Sequence, residues 1–260
     1  MELPIFQIDA FTSRRFGGNP AAVVILHEAW LADEVLQAIA TENNLSETAF
    51  VLARSQPLSL RWFTPKIEVD LCGHATLASA YVLLKYYFPA QNQVKFATRS
   101  GELNVTRRGS QLAMDFPARP GERVPVSEQM VAALGAKPTE AYLARDLLTV
   151  FSVESEVAAL KPNIELVAAL DAFAVIASAK GDQVDFVSRF FAPRAGVPED
   201  PVTGSAHCTL VPYWAGRLGK QVLIARQLSA RGGELTCEMN DRRVLIAGDA
   251  VEYLRGEIRV

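Results

Sequence analysis

The chain has few side chains of the kinds that form disulfides or bind metals. Its 260 residues include three cysteines and three histidines, with no CxxC pair and no HExxH spacing. Three cysteines cannot all pair, which favours a reducing, cytoplasmic setting. Because metal sites draw mainly on closely spaced cysteine, histidine and carboxylate ligands, the sequence predicts no metal site.

Long apolar runs and an excess of positive charge are also lacking. No stretch of about 18 uninterrupted apolar residues occurs, so we expect no transmembrane helix. The first residues, 1–4, lack the basic segment that begins a secretory signal. The formal net charge is −3 and the isoelectric point about 5.7, which gives no electrostatic footprint for nucleic acid or anionic lipid. No nucleic-acid or membrane partner is therefore expected.

Hydrophobic residues, by contrast, are abundant. They make up 50% of the chain, too many for a disordered polypeptide. A chain of this length can bury either one large core or two cores of about 130 residues each. Composition alone leaves both arrangements open.

Internal repetition decides between these arrangements. The tripeptide Phe63-Thr64-Pro65 and the later Gly73 recur as Phe191-Ala192-Pro193 and Gly204, and Ala97–Leu103 recurs as Ser229–Leu235. The glycines are 131 residues apart and the longer segments 132. Two matches at nearly one offset indicate a tandem duplication. We predict an N-terminal half of residues 1–118 and a C-terminal half of residues 119–260, with a final strand that could cross back and an active site between the halves.

Each half reads as several strands and one very apolar helix. The predicted strands of the first half are Ile5–Ala10, Ala21–Leu26, Thr48–Ala53, Leu58–Phe63, Val94–Ala97, Glu102–Thr106 and Gln111–Phe116. A helix is predicted over Trp30–Glu42 and a more apolar one over Gly73–Leu84. Because a helix that is apolar all round must be buried, we expect an α+β fold in which strands surround this helix. The second half repeats the scheme with a helix over Ser205–Ala215, which Pro212 could kink or end early.

The two repeated glycines each lie where a loop enters a predicted central helix. A helix N-terminus offers unpaired N–H groups and partial positive charge, which suit a carboxylate or phosphate, and glycine allows close approach. The pair Gly73 and Gly204 therefore favours a site for a small anionic ligand. Tight turns, with Ser205 capping its helix, remain the alternative. His74 would lie at the first helix start, whereas His207 is predicted to be a packing residue.

Two acidic residues stand close to these elements in the sequence. Glu47 lies at the entry to an apolar strand, where it could act as an acid or base or simply face water. Asp200 precedes Pro201, which biases the chain toward an extended approach to Gly204. An ordinary Asp-Pro turn is the alternative for Asp200.

Taken together, these motifs resemble the signatures of the PhzF family. The matching segments, in chain order, are Asp9-Ala10-Phe11, Phe16–Val23, Asn44–Phe50, Gly73–Thr76 and Glu199–Ala206. The resemblance covers nearly the whole chain. It implies the diaminopimelate epimerase-like fold, in which two similar halves each form a β-barrel or roll around a central helix, with the active site in the cleft. Relatives of this family are commonly homodimers.

The resemblance also implies a cofactor-free isomerase that moves a proton. Glu47 matches the family's acid/base glutamate. His74, Asp200, Ser205 and the Gly73 and Gly204 backbones match the residues around the substrate. The implied substrate is a small amino- or hydroxy-substituted carboxylic acid, and neither it nor phenazine synthesis is named by the sequence.

One position departs from related two-thiol racemases. Cys72 matches their first catalytic cysteine, but its repeat partner is Thr203 instead of a second cysteine. A thiolate at a helix N-terminus would be activated, which leaves a Cys72-dependent amino-acid racemase or dehydratase as one alternative. A small-molecule binder that has lost turnover is the other.

Overall fold

The computed structural model describes residues 1–54 and 57–260 of the chain. These residues form two compact units, unit 1 (Met1–Asp115 and Ala247–Val260) and unit 2 (Phe116–Ile246). Strands and helices alternate irregularly in both, so the α+β prediction is confirmed. Among the described residues, no helix is long and apolar enough to cross a membrane.

Unit 1 consists mainly of strands. They are β1 (Glu2–Ala10), β2 (Asn19–Leu26), β3 (Glu47–Leu52), β4 (Leu58–Phe63), β5 (Glu68–Val69), β6 (Gln93–Thr98), β7 (Gly101–Arg108), β8 (Gln111–Pro117, whose last two residues belong to unit 2) and β17 (Ala250–Arg259). Its helices are α1 (Asp33–Asn43) and α2 (Gly73–Val82), and a π-helical turn, Leu83–Tyr87, follows α2. Most of the predicted elements are present at nearly the predicted bounds. Helix α1 starts three residues later than predicted, and it is capped after Asn43 by Asn44, whose φ of 48° is left-handed.

Helix α2 is buried in unit 1. It packs against β1, β2, β3, β7 and β17. Its side chains from His74 to Ala80 are all buried, as is Val82. The hydroxyls of Thr76 and Ser79 donate to the carbonyls of Cys72 and Ala75, one turn earlier, so these polar groups are satisfied without water. The prediction that an all-round apolar helix becomes the core of its half is therefore confirmed.

Unit 2 has the strands β9 (Glu122–Val124), β10 (Glu140–Leu143), β11 (Leu147–Val150), β12 (Val175–Lys180), β13 (Phe186–Phe191), β14 (Val222–Gln227), β15 (Gly233–Asn240) and β16 (Arg243–Gly248). Its helices are α3 (Glu128–Leu134), α4 (Glu154–Ala159), α5 (Ile164–Ala169) and α6 (His207–Leu218). Short 3₁₀ turns lie at Pro193–Ala195 and Gly204–Ala206. Helix α6 packs on β14 and β15.

Strand pairing repeats between the units, as a duplication requires. In unit 1, β1–β2 is antiparallel, β2–β3 parallel, β3–β4 antiparallel, β4–β6 parallel and β6–β7 antiparallel. In unit 2, β10–β11, β11–β12, β12–β13, β13–β14 and β14–β15 alternate in the same order. The two halves are thus topological copies of one another.

Helix α6 does not end early at Pro212, contrary to one of the two expectations for that residue. It continues to Leu218. Proline lacks the N–H that would bond to the carbonyl four residues earlier, which here belongs to Cys208. That carbonyl instead accepts the backbone N–H of Arg119 at 2.8 Å. A neighbouring segment therefore replaces the bond that the proline removes.

The first residue of α6, His207, is fully buried, as its predicted packing role requires. Its Nδ1 lies 2.9 Å from the carbonyl of Thr203, so Nδ1 carries the proton of the neutral ring. The ring packs beside Phe186, and Nε2 has no hydrogen-bond partner in the described structure. Burial lowers the pKa of His207 to about 4.

This lowered pKa predicts a loss of stability in mild acid. In the unfolded chain the His207 imidazole binds a proton below its ordinary pKa of about 6.5. In the folded chain it binds that proton only near pH 4, so acid favours unfolding. Between pH 7 and pH 5, His207 should therefore reduce the free energy of unfolding by about 2 kcal/mol. The variant His207→Asn keeps a donor near Thr203 and should lose that much less over the same range, measured by urea unfolding. Equal losses in both proteins would contradict the assignment.

Candidate active site

The turn that precedes β2 places Asn19 in the interior of unit 1. Gly18 in this turn has a φ of 62°, and a Cβ added there would lie 2.1 Å from the carbonyl oxygen of Ala10. Only glycine fits such a position. The next residue, Asn19, is fully buried at the start of β2. The turn thus places a polar amide inside the unit.

Glu47 begins the neighbouring parallel strand. The parallel strands β2 and β3 pair with Ala21 opposite Glu47. Asn19 and Glu47 therefore lie near the same end of these two strands. The side chain of Glu47 is 15% exposed. This side chain is therefore mostly buried, although solvent still reaches part of it.

The start of α2 supplies the third component. Cys72 is the extended residue before the helix, with φ −143° and ψ 112°, and Gly73 and His74 form its first turn. The carbonyl of Cys72 accepts both the N–H and the hydroxyl of Thr76. These bonds fix the direction in which the chain enters the helix.

The imidazole of His74 connects these elements. Its Nε2 lies 3.1 Å from Oε2 of Glu47. Its Nδ1 lies 3.1 Å from Nδ2 of Asn19 and 3.5 Å from Sγ of Cys72. The predicted residues Glu47, Cys72 and His74 are therefore brought together in unit 1, with Asn19 as a fourth member.

In a neutral imidazole, these contacts place the proton on Nε2. An amide nitrogen is only a donor, so Asn19 donates to Nδ1 and the neutral ring carries its proton on Nε2. That proton faces the carboxylate of Glu47. A second proton, on Nδ1, would require the Asn19 amide to turn its oxygen toward the ring.

The electrostatics of the cluster favour a charged imidazole. Burial opposes the charge on His74, but negative charge on its neighbours raises its pKa above the ordinary value of histidine. At neutral pH, where the Cys72 thiol is protonated, that charge is the carboxylate of Glu47. A buried cation is stable only beside an anion. With the Asn19 amide turned so that its oxygen accepts from Nδ1, the charged imidazole and the Glu47 carboxylate form an ion pair.

The thiol of Cys72 is affected in the opposite sense to the expected activation. Burial, and next the negative charge of Glu47, raise its pKa to about 11. The helix N-terminus does not compensate for the loss of solvent. At neutral pH Cys72 is a protonated thiol, which is a weak nucleophile and a weak base.

These residue types are also those that bind zinc. Among the described residues, the candidate ligand atoms of Glu47, Cys72 and His74 lie within 4.8 Å of one another. However, Cys72 faces Nδ1 of the imidazole and Glu47 faces Nε2. A single ion could not contact all three without turning the ring, so the arrangement fits proton movement better than metal binding.

In unit 2, the predicted residue Asp200 begins a tightly bonded loop. Its carboxylate accepts the hydroxyl of Thr203, and its backbone N–H donates to the carbonyl of Phe190 at 3.0 Å. The side-chain amide of Gln227 spans the loop, donating to the Asp200 carbonyl at 2.7 Å and accepting from the Thr203 N–H at 2.9 Å. Gln227 is 1% exposed, so these bonds form away from water.

The other predicted residues of unit 2 follow this loop directly. Gly204 and Ser205 lie in the 3₁₀ turn that leads into α6, where Gly204 is buried and Ser205 partly exposed. Thr203, the repeat partner of Cys72, makes no side-chain cap of this turn. The alternative that Ser205 caps its helix is not realised either, because Ser205 lies inside the turn and no side chain caps α6.

Two residues of these clusters were not predicted from the sequence. Asn19 lies in the matching segment Phe16–Val23, but its position between Gly18 and Pro20 is typical of a turn residue and does not mark it as part of a site. Gln227 ends an apolar strand and carries no local signal, because its partners are 24 and 27 residues away.

A family model described as "phenazine biosynthesis-like protein" (PhzC-PhzF) matches residues 8–256. An uncharacterized isomerase of Pseudomonas aeruginosa is 52% identical over the full length of both chains. A human phenazine biosynthesis-like domain-containing protein is 42% identical and covers 99% of this chain and of its own. The similarity therefore extends over the whole chain.

Solved structures show the same likeness. A PhzF family phenazine biosynthesis protein from Enterococcus faecalis has a TM-score of 0.97 and 49% identity, with 100% of both chains covered. A hydroxyproline epimerase from Agrobacterium vitis, with bound trans-4-hydroxy-L-proline, has a TM-score of 0.63 and 9% identity, covering 99% of this chain and 92% of its own. At that identity the second likeness concerns the fold alone, and it agrees with the predicted epimerase-like fold.

The ion pair predicts a measurable coupling between Glu47 and His74. Replacing the carboxylate in Glu47→Gln removes the charge that faces Nε2, so the pKa of His74 should fall. Titration of the imidazole by nitrogen NMR measures this directly. The exposed Glu42→Gln on α1 is the matched control and should leave the titration unchanged. A His74 pKa that is the same in both variants would mean that the pair is not formed.

Proposed function

Because this chain belongs to the PhzF family and is an isomerase, we propose that it moves a proton on a small amino- or hydroxy-substituted carboxylic acid, with Glu47 as the general acid and base. The observation that carries the proposal is the 3.1 Å contact between Oε2 of Glu47 and Nε2 of His74. No cofactor takes part in the proposed reaction.

The proposed first step removes a proton from carbon. The Glu47 carboxylate accepts the proton, and the electron pair of the broken C–H bond moves into the conjugated system or carboxylate of the substrate. In the second step the same carboxyl group returns its proton to another carbon or to the other face. His74 supports this cycle because its Nε2 lies 3.1 Å from the carboxylate, where a positively charged ring stabilises the ionised form of Glu47.

Substrate binding is assigned to the starts of the two central helices. The backbone N–H groups at Gly73 and Gly204, with the Ser205 hydroxyl, would stabilise negative charge as it develops. Asp200 and His74 would orient amino or hydroxyl substituents. These assignments rest on the repeated motifs and on the family resemblance, as do the proposals of a cytoplasmic, homodimeric protein.

A Cys72-dependent racemase or dehydratase is the second candidate. Such an enzyme needs a thiolate, and the raised pKa of Cys72 keeps it protonated at neutral pH. A two-thiol mechanism also needs a second cysteine, and the corresponding residue is Thr203. Glu47 is therefore the better candidate for the base.

Deuterium incorporation from heavy water tests the proposal. Wild-type protein should label one member of a panel that includes dihydro-hydroxyanthranilate and proline-type amino acids. Glu47→Gln cannot accept the proton, so labelling should slow by about 100-fold or more. Mass spectrometry of the recovered compounds gives the rate.

Cys72→Ser is the discriminating variant in the same assay. Labelling that survives Glu47→Gln but is lost in Cys72→Ser would overturn the proposed mechanism in favour of the cysteine enzyme. Saturable ligand binding without labelling in the wild type would favour a binding protein that lacks turnover.

A further inference from the structure

Arg61 holds the loop that leads to the start of α2. It lies on β4, and its Nε and Nη2 bond to the two carboxylate oxygens of Glu68 at 2.7 and 2.8 Å. Its Nη1 bonds to Asp33 at the start of α1 at 2.9 Å. Its guanidinium also stacks 5.1 Å from the ring centre of Phe63. Both partners of the two-point bond are largely buried, with 15% and 13% of their side chains exposed.

Arg189 makes the same arrangement in unit 2. It lies on β13, and its Nε and Nη2 bond to the two carboxylate oxygens of Glu199 at 2.7 and 2.9 Å. Its Nη1 bonds to the Leu160 carbonyl just after α4 at 2.8 Å. Its guanidinium stacks 5.1 Å from the ring centre of Phe191. Arg61 and Arg189 thus use the same nitrogen atoms in the same way, with Nε and Nη2 on a glutamate and Nη1 on a third oxygen.

The two arrangements occupy equivalent places in the repeat. Arg61 and Arg189 each precede the repeated phenylalanine by two residues, and Glu68 and Glu199 each precede the repeated glycine by five. The segment between arginine and glutamate is three residues longer in unit 2, where it contains the extra turn Pro193–Ala195. The glutamate nevertheless meets the same two nitrogen atoms, so the ion pair is retained although the loop length is not.

The position of each glutamate explains what the pair restrains. Glu68 lies four residues before Cys72 and Glu199 lies immediately before Asp200. A two-point guanidinium–carboxylate bond fixes both the distance and the plane of the carboxylate. Each pair therefore helps to set the point from which the loop approaches the helix start, and in unit 1 Arg99 also contacts Oε2 of Glu68 at 2.7 Å.

We propose that Arg61 and Arg189 are positioning residues. Each holds the loop before the central helix of its own unit, through a two-point bond to Glu68 or Glu199. For its kinetic consequences this inference rests on the proposed function. Arg61 orients the segment that carries Cys72 and His74 and so affects the chemical step. Arg189 orients the segment that carries Asp200 and so affects substrate binding.

The variants Arg61→Lys and Arg189→Lys test the proposal, because lysine keeps the charge but cannot bond at two points. The matched controls are Arg259→Lys and Arg217→Lys, which weaken the ion pairs to Glu2 and Glu140 through arginines that are more than half exposed. Amide hydrogen exchange is measured first, since it does not depend on any activity. Exchange should become at least about tenfold faster at residues 68–74 in Arg61→Lys and at residues 199–205 in Arg189→Lys, and should not change in the controls.

Kinetics in the deuterium assay provide the second readout. Arg61→Lys should lower kcat by about tenfold or more with little change in KM, and Arg189→Lys should mainly raise KM. If a lysine variant does not fold, Glu68→Gln or Glu199→Gln replaces it, because glutamine keeps the shape of the side chain.

Two results would overturn the proposal. One is exchange that accelerates uniformly along the chain, which would indicate a general loss of stability. The other is local exchange and kinetic constants within about twofold of the control variants. Should the wild type show no proton transfer at all, the proposed function fails, and the local exchange data still decide whether the two arginines hold their loops.

Discussion

The imidazole of His74 is confined between groups that allow it one arrangement. It is 4% exposed, so water cannot replace the bonds that it makes. Asn19 and Cys72 face one ring nitrogen and Glu47 faces the other. Oε2 of Glu47 and Nε2 of His74 are buried and face each other at 3.1 Å without the alignment of a hydrogen bond, so electrostatic attraction is what holds them together. The turn before β2, the start of β3 and the start of α2 therefore have to meet at one place, and the rest of unit 1 is consistent with that requirement.

Duplication gave the two units one topology but different polar groups. Unit 1 has a thiol at Cys72 before its central helix, and unit 2 has the hydroxyl of Thr203, which donates to Asp200. The first arrangement holds an imidazole beside a carboxylate, which suits proton movement. The second holds an aspartate in a rigid loop, which suits orientation of a ligand. A shared framework with divergent side chains accounts for why the sequence motifs match in spacing and not in chemistry.

Much of this was predictable from the sequence, because periodicity and repetition are local signals. The apolar run after Gly73 predicted the buried helix, and the near-equal offsets predicted the duplicated topology. The role of Gln227 could not be predicted, since its bonds join residues that only folding brings together. The same is true of the bond from Arg119 that lets α6 pass Pro212, and of the pKa of Cys72, where the extent of burial outweighs the helix terminus.

The central claim is that a single carboxyl group, Glu47, both removes and returns the proton. Substrate carrying deuterium at the reacting carbon, converted in a single turnover in ordinary water, tests this most directly. One group that carries the proton should deliver part of the deuterium to the product, and the retained fraction can be measured by mass spectrometry. Complete loss of the label in the wild type would contradict the account, because a proton held by a side chain that is only 15% exposed should return in part before it exchanges with water.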